Sequence, residues 1–464
     1  MDFLKFKFDS NKKDACPIHL IKTEELDDWL DGKKGNLKNW INSSGFVANL
    51  GEVCLIPDSL GNLEQVLVGL GSKLIRKRER FTLGGVTKKL PNIKYDIVSK
   101  HEELELTEHY LGWLLSQYKF TNYVKKEQDI LALVKPLGVD GEKIEKIAQG
   151  EILTRDLVNT PANDMGPNEL EEVIRDLAKM HGASVNTVLG NALLEHNFPM
   201  IHAVGRASVK TPRLIELVWG SKGPTVTLVG KGVCFDTGGL NIKSSSGMAL
   251  MKKDMGGAAT VIGLSHMIMA MGLPLRLRML VPAVENSLSS NAFRPKDILT
   301  SRKGLTVEIN NTDAEGRLIL ADTLSYADET TPDLLICMAT LTGAARVAVG
   351  SDLAPFYTDN ECFSNLLDKS SRKVRDPVWR MPFHTPYEKL IEPGIANLDN
   401  APGGGFAGSI TAALFLRRFV ENAKIFAHFD IYTWQPSPAP GRPKGGVGMG
   451  ARAIFDALPD ILKL

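Results

Sequence analysis

Two carboxylates two residues apart, then a glycine and an arginine, occur in Asn310-Asn311-Thr312-Asp313-Ala314-Glu315-Gly316-Arg317-Leu318. The apolar β-type run Leu305 to Ile309 precedes them, and the apolar helical run Leu318 to Tyr326 follows. The polar cluster therefore stands where a strand gives way to a helix, the place where active sites collect in open α/β sheets. In extended chain, residues two apart share a face. Asp313 and Glu315 can then converge on one cation, with Arg317 directed to the same pocket. Thr312-Asp313-Ala314-Glu315 equally fits a helix capping box, in which a Thr or Asp oxygen accepts a backbone N–H and the glutamate reaches back.

A second cluster lies upstream. Gly230-Lys231-Gly232-Val233-Cys234-Phe235-Asp236-Thr237-Gly238-Gly239-Leu240-Asn241-Ile242-Lys243 follows the strand-like run Thr225 to Val229. Its glycines would let backbone approach a ligand closely, but it has neither phosphate-loop spacing nor the dinucleotide fingerprint. Met251-Lys252-Lys253-Asp254-Met255-Gly256-Gly257-Ala258 then opens a helix, where Asp254 alone reads as an N-cap. Two readings of the combined set stand side by side. One is an ion-pair network in which lysines and Arg317 neutralise Asp236, Asp254, Asp313 and Glu315. The other is a metal centre, since four carboxylates at one sheet edge repel unless cations sit among them, and a pair of divalent ions would satisfy that charge. No HExxH occurs, so any metal site here is rich in carboxylate. A lysine amine must lose its proton before it can ligate.

The elements that must position these groups alternate. Strands are expected at Val185 to Leu189, Arg213 to Trp219, Thr225 to Val229, Leu275 to Pro282, Leu305 to Ile309, Leu334 to Ala339 and Ile425 to Ile431. Helices are expected at Glu169 to His181, Ala258 to Met271, Leu318 to Ala327, Ser409 to Val420 and Ala451 to Leu458. Such alternation gives a largely parallel sheet with helices on both faces. The preceding part reads as a smaller α/β unit, with strands at Gly45 to Leu50, Glu52 to Pro57 and Gln65 to Gly71 and a helix from Glu102 to Tyr118. Arg76-Lys77-Arg78-Glu79-Arg80 is a charge run that suits a solvated loop. Val139 to Leu157 reads as a connecting helix stopped by Pro161. The expected partition is an N-terminal α/β domain at 1–136, a linker at 137–166 and a catalytic domain at 167–464.

With 464 residues, 43% hydrophobic and 23% charged, the chain is long enough for two globular domains. Lysine and arginine number 55 against 54 acidic residues, a net charge of +1, so no global basic field favours nucleic acid or a membrane surface. Neither a run of about 18 apolar residues nor an apolar signal-peptide core is found. The five scattered cysteines form no CxxC pair, which argues against a disulfide framework or a thiolate zinc site. A reducing cytoplasm is the expected compartment.

Taken together, the two clusters resemble the leucine aminopeptidase (cytosol aminopeptidase) family of dinuclear metallopeptidases. Asn311 to Arg317 matches the family signature. Val229 to Gly232, Phe235 to Gly239 with Lys243, and Lys253 to Ala259 match its other metal segments. Arg155 to Asn163, Thr340 to Ala344 and Gly408 to Ala413 match further segments, so the resemblance covers roughly 150–464. It implies a small macro-like N-terminal α/β domain and a larger α/β/α catalytic domain with a mainly parallel central sheet. It also implies two divalent ions per subunit, Zn²⁺ or Mn²⁺ with Mg²⁺ and Co²⁺ as alternatives. Asp236 and Glu315 would bridge both ions, Lys231 and Asp254 would ligate one, and Asp313 the other. Lys243 and Arg317 resemble the two catalytic residues that are not ligands, the arginine holding a bicarbonate as general base. Met251, Thr340, Leu341 and Gly343 match the pocket for a leucine-like first residue, although Met251 and Leu341 also suit a core.

The implied reaction is removal of N-terminal residues from peptides with a free amine, by a water activated between the two ions. A homohexamer is the implied assembly. One departure stands out: Tyr432-Thr433-Trp434 follows His428-Phe429-Asp430-Ile431 where many members carry small residues, and a bulky Tyr432 would narrow the pocket or pack beneath it. His428 is read as a satisfied strand histidine. Competing readings are a dinuclear phosphoesterase, a nucleotide- or nucleic-acid-binding module, and an inactive scaffold.

Overall fold

The computed structural model describes residues 2–99, 102–124 and 130–464. The chain divides into two units, Met1–Ile152 with Pro436–Lys444 and Leu153–Gln435 with Gly445–Leu464. In the first, strands β1 (Cys16–Lys22), β2 (Val53–Pro57), β3 (Leu63–Gly71) and β4 (Tyr95–Ile97) pair in the order β2-β3-β1-β4. Helix α1 (Glu103–Ser116) follows, and buried Trp113 donates its Nε1–H to Leu131 O at 3.1 Å. Gly45 to Leu50, expected as a strand, is a bend. Gly45 and Ala48 take φ of 71° and 58°, which no pleated strand adopts, and Ala48 O accepts the Gly71 N–H at 2.9 Å. β1, not expected from the sequence, lies inside the sheet with Ile18, Leu20 and Ile21 buried; its apolar run is short and interrupted by His19. In the charge run, Arg76 pairs with Glu24.

The second unit contributes β5 (Ser184–Leu189), β6 (Arg213–Trp219), β7 (Thr225–Gly230), β8 (Gly232–Asp236), β9 (Arg276–Asn286), β10 (Ile298–Thr300), β11 (Thr306–Glu308), β12 (Leu334–Ala339), β13 (Ala354–Tyr357), β14 (Val378–Met381), β15 (Leu398–Asp399) and β16 (Phe426–Asp430). The central sheet runs β14-β13-β16-β12-β7-β9-β6-β5, with β8 also on β9. Its middle, β16-β12-β7-β9, is parallel, while β6 joins β9 and β13 joins β16 antiparallel. Central strands are apolar throughout because both faces are covered. β11 forms where expected, but it pairs with β10 and β15 in a separate three-stranded sheet, so the strand before the Asp313 cluster is not part of the central sheet.

The helices that matter are α2 (Gly141–Asn159), α3 (Pro167–His181), α4 (Gly256–Ala270), α5 (Gly316–Asp328), α6 (Gly343–Val349), α7 (Glu361–Lys373), α8 (Gly408–Arg417) and α9 (Ala451–Leu462). α3 starts at Pro167 with Glu169 Oε2 accepting the Gly166 N–H at 3.0 Å and stops at Gly182 in the left-handed region, as cap chemistry dictates. α4 is buried on all sides from Gly256 to Met269, the signature of a helix inside a core. α5 supplies Leu318, Ile319, Leu320 and Leu324 to a cluster with Val229, Leu280, Leu335 and Cys337. The alternate residues of those strands, Leu228, Met279 and Ile336, are also fully buried and lie on the other face of the pleat.

Candidate metal centre

Two strand ends and two turns bring the chemistry together. Lys231 sits at the break between β7 and β8, where its N–H donates to Met338 O at 3.0 Å and its carbonyl accepts from Ala258 N at 2.9 Å. β8 ends on Asp236. Asp254 lies in a tight 3₁₀ turn, Met251–Met255, that leads into α4. Asp313 and Glu315 lie in the turn before α5. They converge through that turn rather than through the alternation of a strand. A Cβ on Gly316 would stand 2.4 Å from Lys231 Cε, so a side chain there would displace the lysine that pairs with Asp254 and Glu315.

The capping-box alternative does not form. Glu315 is itself the N-cap of α5, in helical geometry and with no side-chain cap hydrogen bond. Thr312 Oγ1 instead donates to Gly238 O at 2.6 Å and accepts the Asn241 N–H at 2.8 Å, tying the two clusters together. Asp254 does not cap α4 either; Met255 holds that position.

Lys231 Nζ lies 2.6 Å from Asp254 Oδ2 and 3.0 Å from Glu315 Oε1. Lys243 Nζ lies 2.9 Å from Asp236 Oδ2 and also pairs with Asp313 Oδ1. An ion network is therefore present, yet it leaves the carboxylates under-satisfied. Oxygens of Asp236, Asp313 and Glu315 all fall within 4.8 Å of one another, and Glu315 Oε2 is buried without a hydrogen-bond partner. Burial, followed by the charges of Asp236, Asp254 and Asp313 and opposed by Lys231, pushes the Glu315 carboxyl up to about 8. Burial and Asp236, against Lys243, push Asp313 up to about 6. Burial acts to lower Lys231 and Lys243, but the surrounding carboxylates overcome it and hold both amines above their usual range. Clustered, poorly satisfied carboxyl oxygens fit hard divalent cations.

Over these groups opens a cleft of about 740 Å³, lined by Lys231, Asp236, Lys243, Asp254, Asp313 and Arg317. Glu315, 1% exposed, does not line it. Met251, Thr340, Leu341 and Gly343 line the same cleft. The Thr340 hydroxyl donates to Asp254 Oδ1 at 2.9 Å and its carbonyl accepts from Lys231 Nζ at 3.1 Å. Arg317 is buried, its Nε has no hydrogen-bond partner, and burial lowers its guanidinium to about 10 against the charges of Asp430, Glu315 and Asp399.

Residues 152–455 match the model of the cytosol aminopeptidase family, catalytic domain, and residues 16–136 match the M17 aminopeptidase N-terminal domain. The chain belongs to the cytosol aminopeptidase family. It is a peptidase, and thus a hydrolase. A probable cytosol aminopeptidase of Roseiflexus castenholzii is 39% identical over 369 residues, 75% of each chain. The crystal structure of cytosol aminopeptidase from Coxiella burnetii superposes with a TM-score of 0.93 at 42% identity, covering 99% of this chain and 100% of that one. The bottromycin maturation enzyme BotP in complex with Mn superposes with a TM-score of 0.85 at 28% identity, covering 96% of this chain and 99% of that one. The family match thus extends into the N-terminal unit, beyond the 150–464 span in which the sequence alone shows the resemblance.

In this cytosol aminopeptidase-family fold, several supporting residues carry no motif. Asn286, at the end of β9, donates its Nδ2 to Asp236 Oδ1 at 2.9 Å and to Thr312 O at 3.0 Å. Asn400 Oδ1 accepts the Asn310 N–H at 2.8 Å, while its Nδ2 donates to Asn311 O at 2.7 Å. Asp430 accepts from Thr342 N at 2.9 Å, Thr342 Oγ1 at 2.6 Å and Ser409 Oγ at 2.8 Å, fixing the loop after β12. The available signal was a polar residue closing a long apolar strand, as in Val284-Glu285-Asn286 and Phe429-Asp430. His428 is fully buried, stacks on Tyr357 at 6.0 Å between ring centroids, and is lowered to about 3, chiefly by burial. A backbone hydrogen bond with Cys337 opposes that lowering without overcoming it, so His428 is a neutral histidine of the core.

Proposed function

We propose that this cleft releases N-terminal residues, leucine-like ones preferred, from peptides with a free α-amine. Lys231, Asp236, Asp254, Asp313 and Glu315 would hold two divalent ions, Zn²⁺ or Mn²⁺ with Mg²⁺ and Co²⁺ as alternatives. The observation that carries this reading is the set of three converging carboxylates with a buried, unpartnered Glu315 oxygen beside two lysines. When bound, such a pair of ions supplies Lewis acidity and an activated water.

The chain's own residues do the rest. Lys243, kept protonated by Asp236 and Asp313, offers an ammonium to the oxygen that gains charge as the scissile carbonyl becomes tetrahedral. Asp254, braced by Thr340, receives the substrate's α-amine and so selects an unblocked N-terminus. Lys231 must give up its proton to act as a ligand, so ion uptake there is coupled to proton release. Arg317, with its Nε unpartnered at the start of α5, can hold a small anion such as bicarbonate as the general base, helped by the helix N-terminus. Met251 and Leu341 give the first side chain an apolar wall, with Gly343 leaving space beside them.

No helix among the described residues is long and apolar enough to cross a membrane. The reading includes a cytoplasmic homohexamer with no nucleic-acid partner; relatives named cytosol aminopeptidase support the compartment, and light scattering tests the assembly. The deciding experiment compares leucine p-nitroanilide with its N-acetyl form, before and after chelation and with Zn²⁺ or Mn²⁺ restored. Cleavage of the free amine alone, lost on chelation and regained with metal, is expected. Equal cleavage of the acetylated form would overturn the exopeptidase reading.

A further inference from the structure

The same cleft carries two cations that the reaction above does not use. Lys253 is 6% exposed, and its Nζ lies 4.9 Å from the centroid of the Tyr432 ring. Arg346 approaches that ring as well, with Cζ 5.0 Å from the centroid. All three residues line the cleft. Among the described residues neither cation is within ion-pair distance of a carboxylate, whereas Lys231 and Lys243 are each paired with two. An ammonium that is buried and, like the guanidinium that meets the same ring, has no carboxylate paired with it is under-compensated: burial removes its water and the two like charges repel.

The arrangement is built rather than incidental. Tyr432 is followed by Thr433 at φ 53°, a left-handed conformation that β-branched residues rarely take and that is retained where the surroundings enforce it. Thr433 is fully buried, and its N–H donates to Met449 Sδ at 3.2 Å. It packs so closely on the start of α4 that a Cβ on Gly256 would stand 2.0 Å from its Oγ1. Lys253 shares its turn with Met251 and Asp254, and Arg346 shares α6 with Gly343. The cations therefore belong to the part of the cleft assigned above to the substrate's side chains.

We propose that Lys253 and Arg346, gathered on the Tyr432 ring, form a subsite for a substrate carboxylate, so that the cleft favours an acidic side chain over its neutral amide isostere at the first or second residue. The proposal rests on the peptidase reading. An ammonium and a guanidinium can both donate charge-assisted hydrogen bonds to one carboxylate, and a site left with unpaired donors by a neutral isostere discriminates against it.

The test uses the full-length, metal-loaded chain. For the first residue, kcat/KM is compared between glutamyl and glutaminyl p-nitroanilide. For the second, Leu-Glu-Ala-amide is compared with Leu-Gln-Ala-amide, the amide removing any terminal carboxylate. A Glu-over-Gln ratio of roughly tenfold is expected in one arm, carried mainly by KM. It should fall toward one in Lys253→Met and in Arg346→Met, and be largely kept in Lys253→Arg. Arg346 is exposed on α6, so its variant reports even if Lys253→Met folds poorly. Ratios near one in both arms, in a chain that cleaves leucine p-nitroanilide, would overturn the subsite and leave the peptidase reading intact. So would a tenfold ratio that neither substitution changes. No cleavage of any substrate would remove the peptidase reading and the subsite with it.

Discussion

Two groups of buried carboxylates in the catalytic unit are satisfied in opposite ways. Asp328, 4% exposed, accepts the backbone N–H of Glu421 at 2.8 Å and of Ala423 at 2.8 Å, with Asn422 between them. Asp376 accepts from Arg452 N at 3.0 Å and Gly450 N at 3.2 Å at the start of α9. These acids are held by fixed backbone dipoles, and each joins segments distant in the chain. Glu315, just as buried, has no backbone donor; its neighbours are other carboxylates and the Lys231 ammonium. The first arrangement is complete as it stands. The second keeps acceptors close together at an energetic cost, which is where a ligand has most to contribute.

The contrast can be broken most severely at Glu315. Glu315→Gln should lower kcat by about 10³-fold, the scale set by losing a group that stabilises transition-state charge, and should lower bound metal measured by elemental analysis. The same substitution should leave the melting temperature of the chelated chain unchanged or raise it by about 2 °C, since it removes repulsion. Full activity in Glu315→Gln would end the metal reading.

Asp328→Ala should behave in the opposite way. Stranding several buried N–H groups costs about 3 kcal/mol, seen as a lower denaturant midpoint, while the metal content of the folded protein stays at the parent value. A smaller effect distinguishes Asp322, whose carboxylate accepts from Met200 N at 2.7 Å and Arg302 N at 2.8 Å. Burial outweighs those bonds and pushes it up to about 7. The folded chain therefore keeps a proton that the unfolded chain releases near pH 4. Its contribution to stability is present at low pH and is lost as pH rises from about 4 to about 7, on the order of a few kcal/mol. Asp322→Asn should flatten that slope in denaturant titrations across this range, and a parallel slope in both chains would show that Asp322 does not titrate there.

Much of the catalytic unit was legible because its parallel strands and buried helices write long apolar runs. β6 and β12 have the bounds that the sequence predicts, and α5 and α9 begin within two residues of expectation. The region from α6 to β15 was not legible. β13 has four residues, one of them Pro355, and β15 has two, too few for a period to show. At the site, the motif residues stood out by type, but their local geometry was misread: the Asp313–Glu315 pair is a turn clamped by Asn241 and Asn400, not a strand face or a capping box.

Which groups are available, in what order, and on which kind of element can be read along the chain, because side-chain chemistry and apolar periodicity are local properties of it. The tertiary structure alone decided that β11 leaves the central sheet, that Asn286 reaches Asp236 across 50 residues, and that Lys253 and Arg346 meet at one ring. Such pairings depend on how distant segments share limited buried space, and no local pattern encodes which partner a polar group meets there.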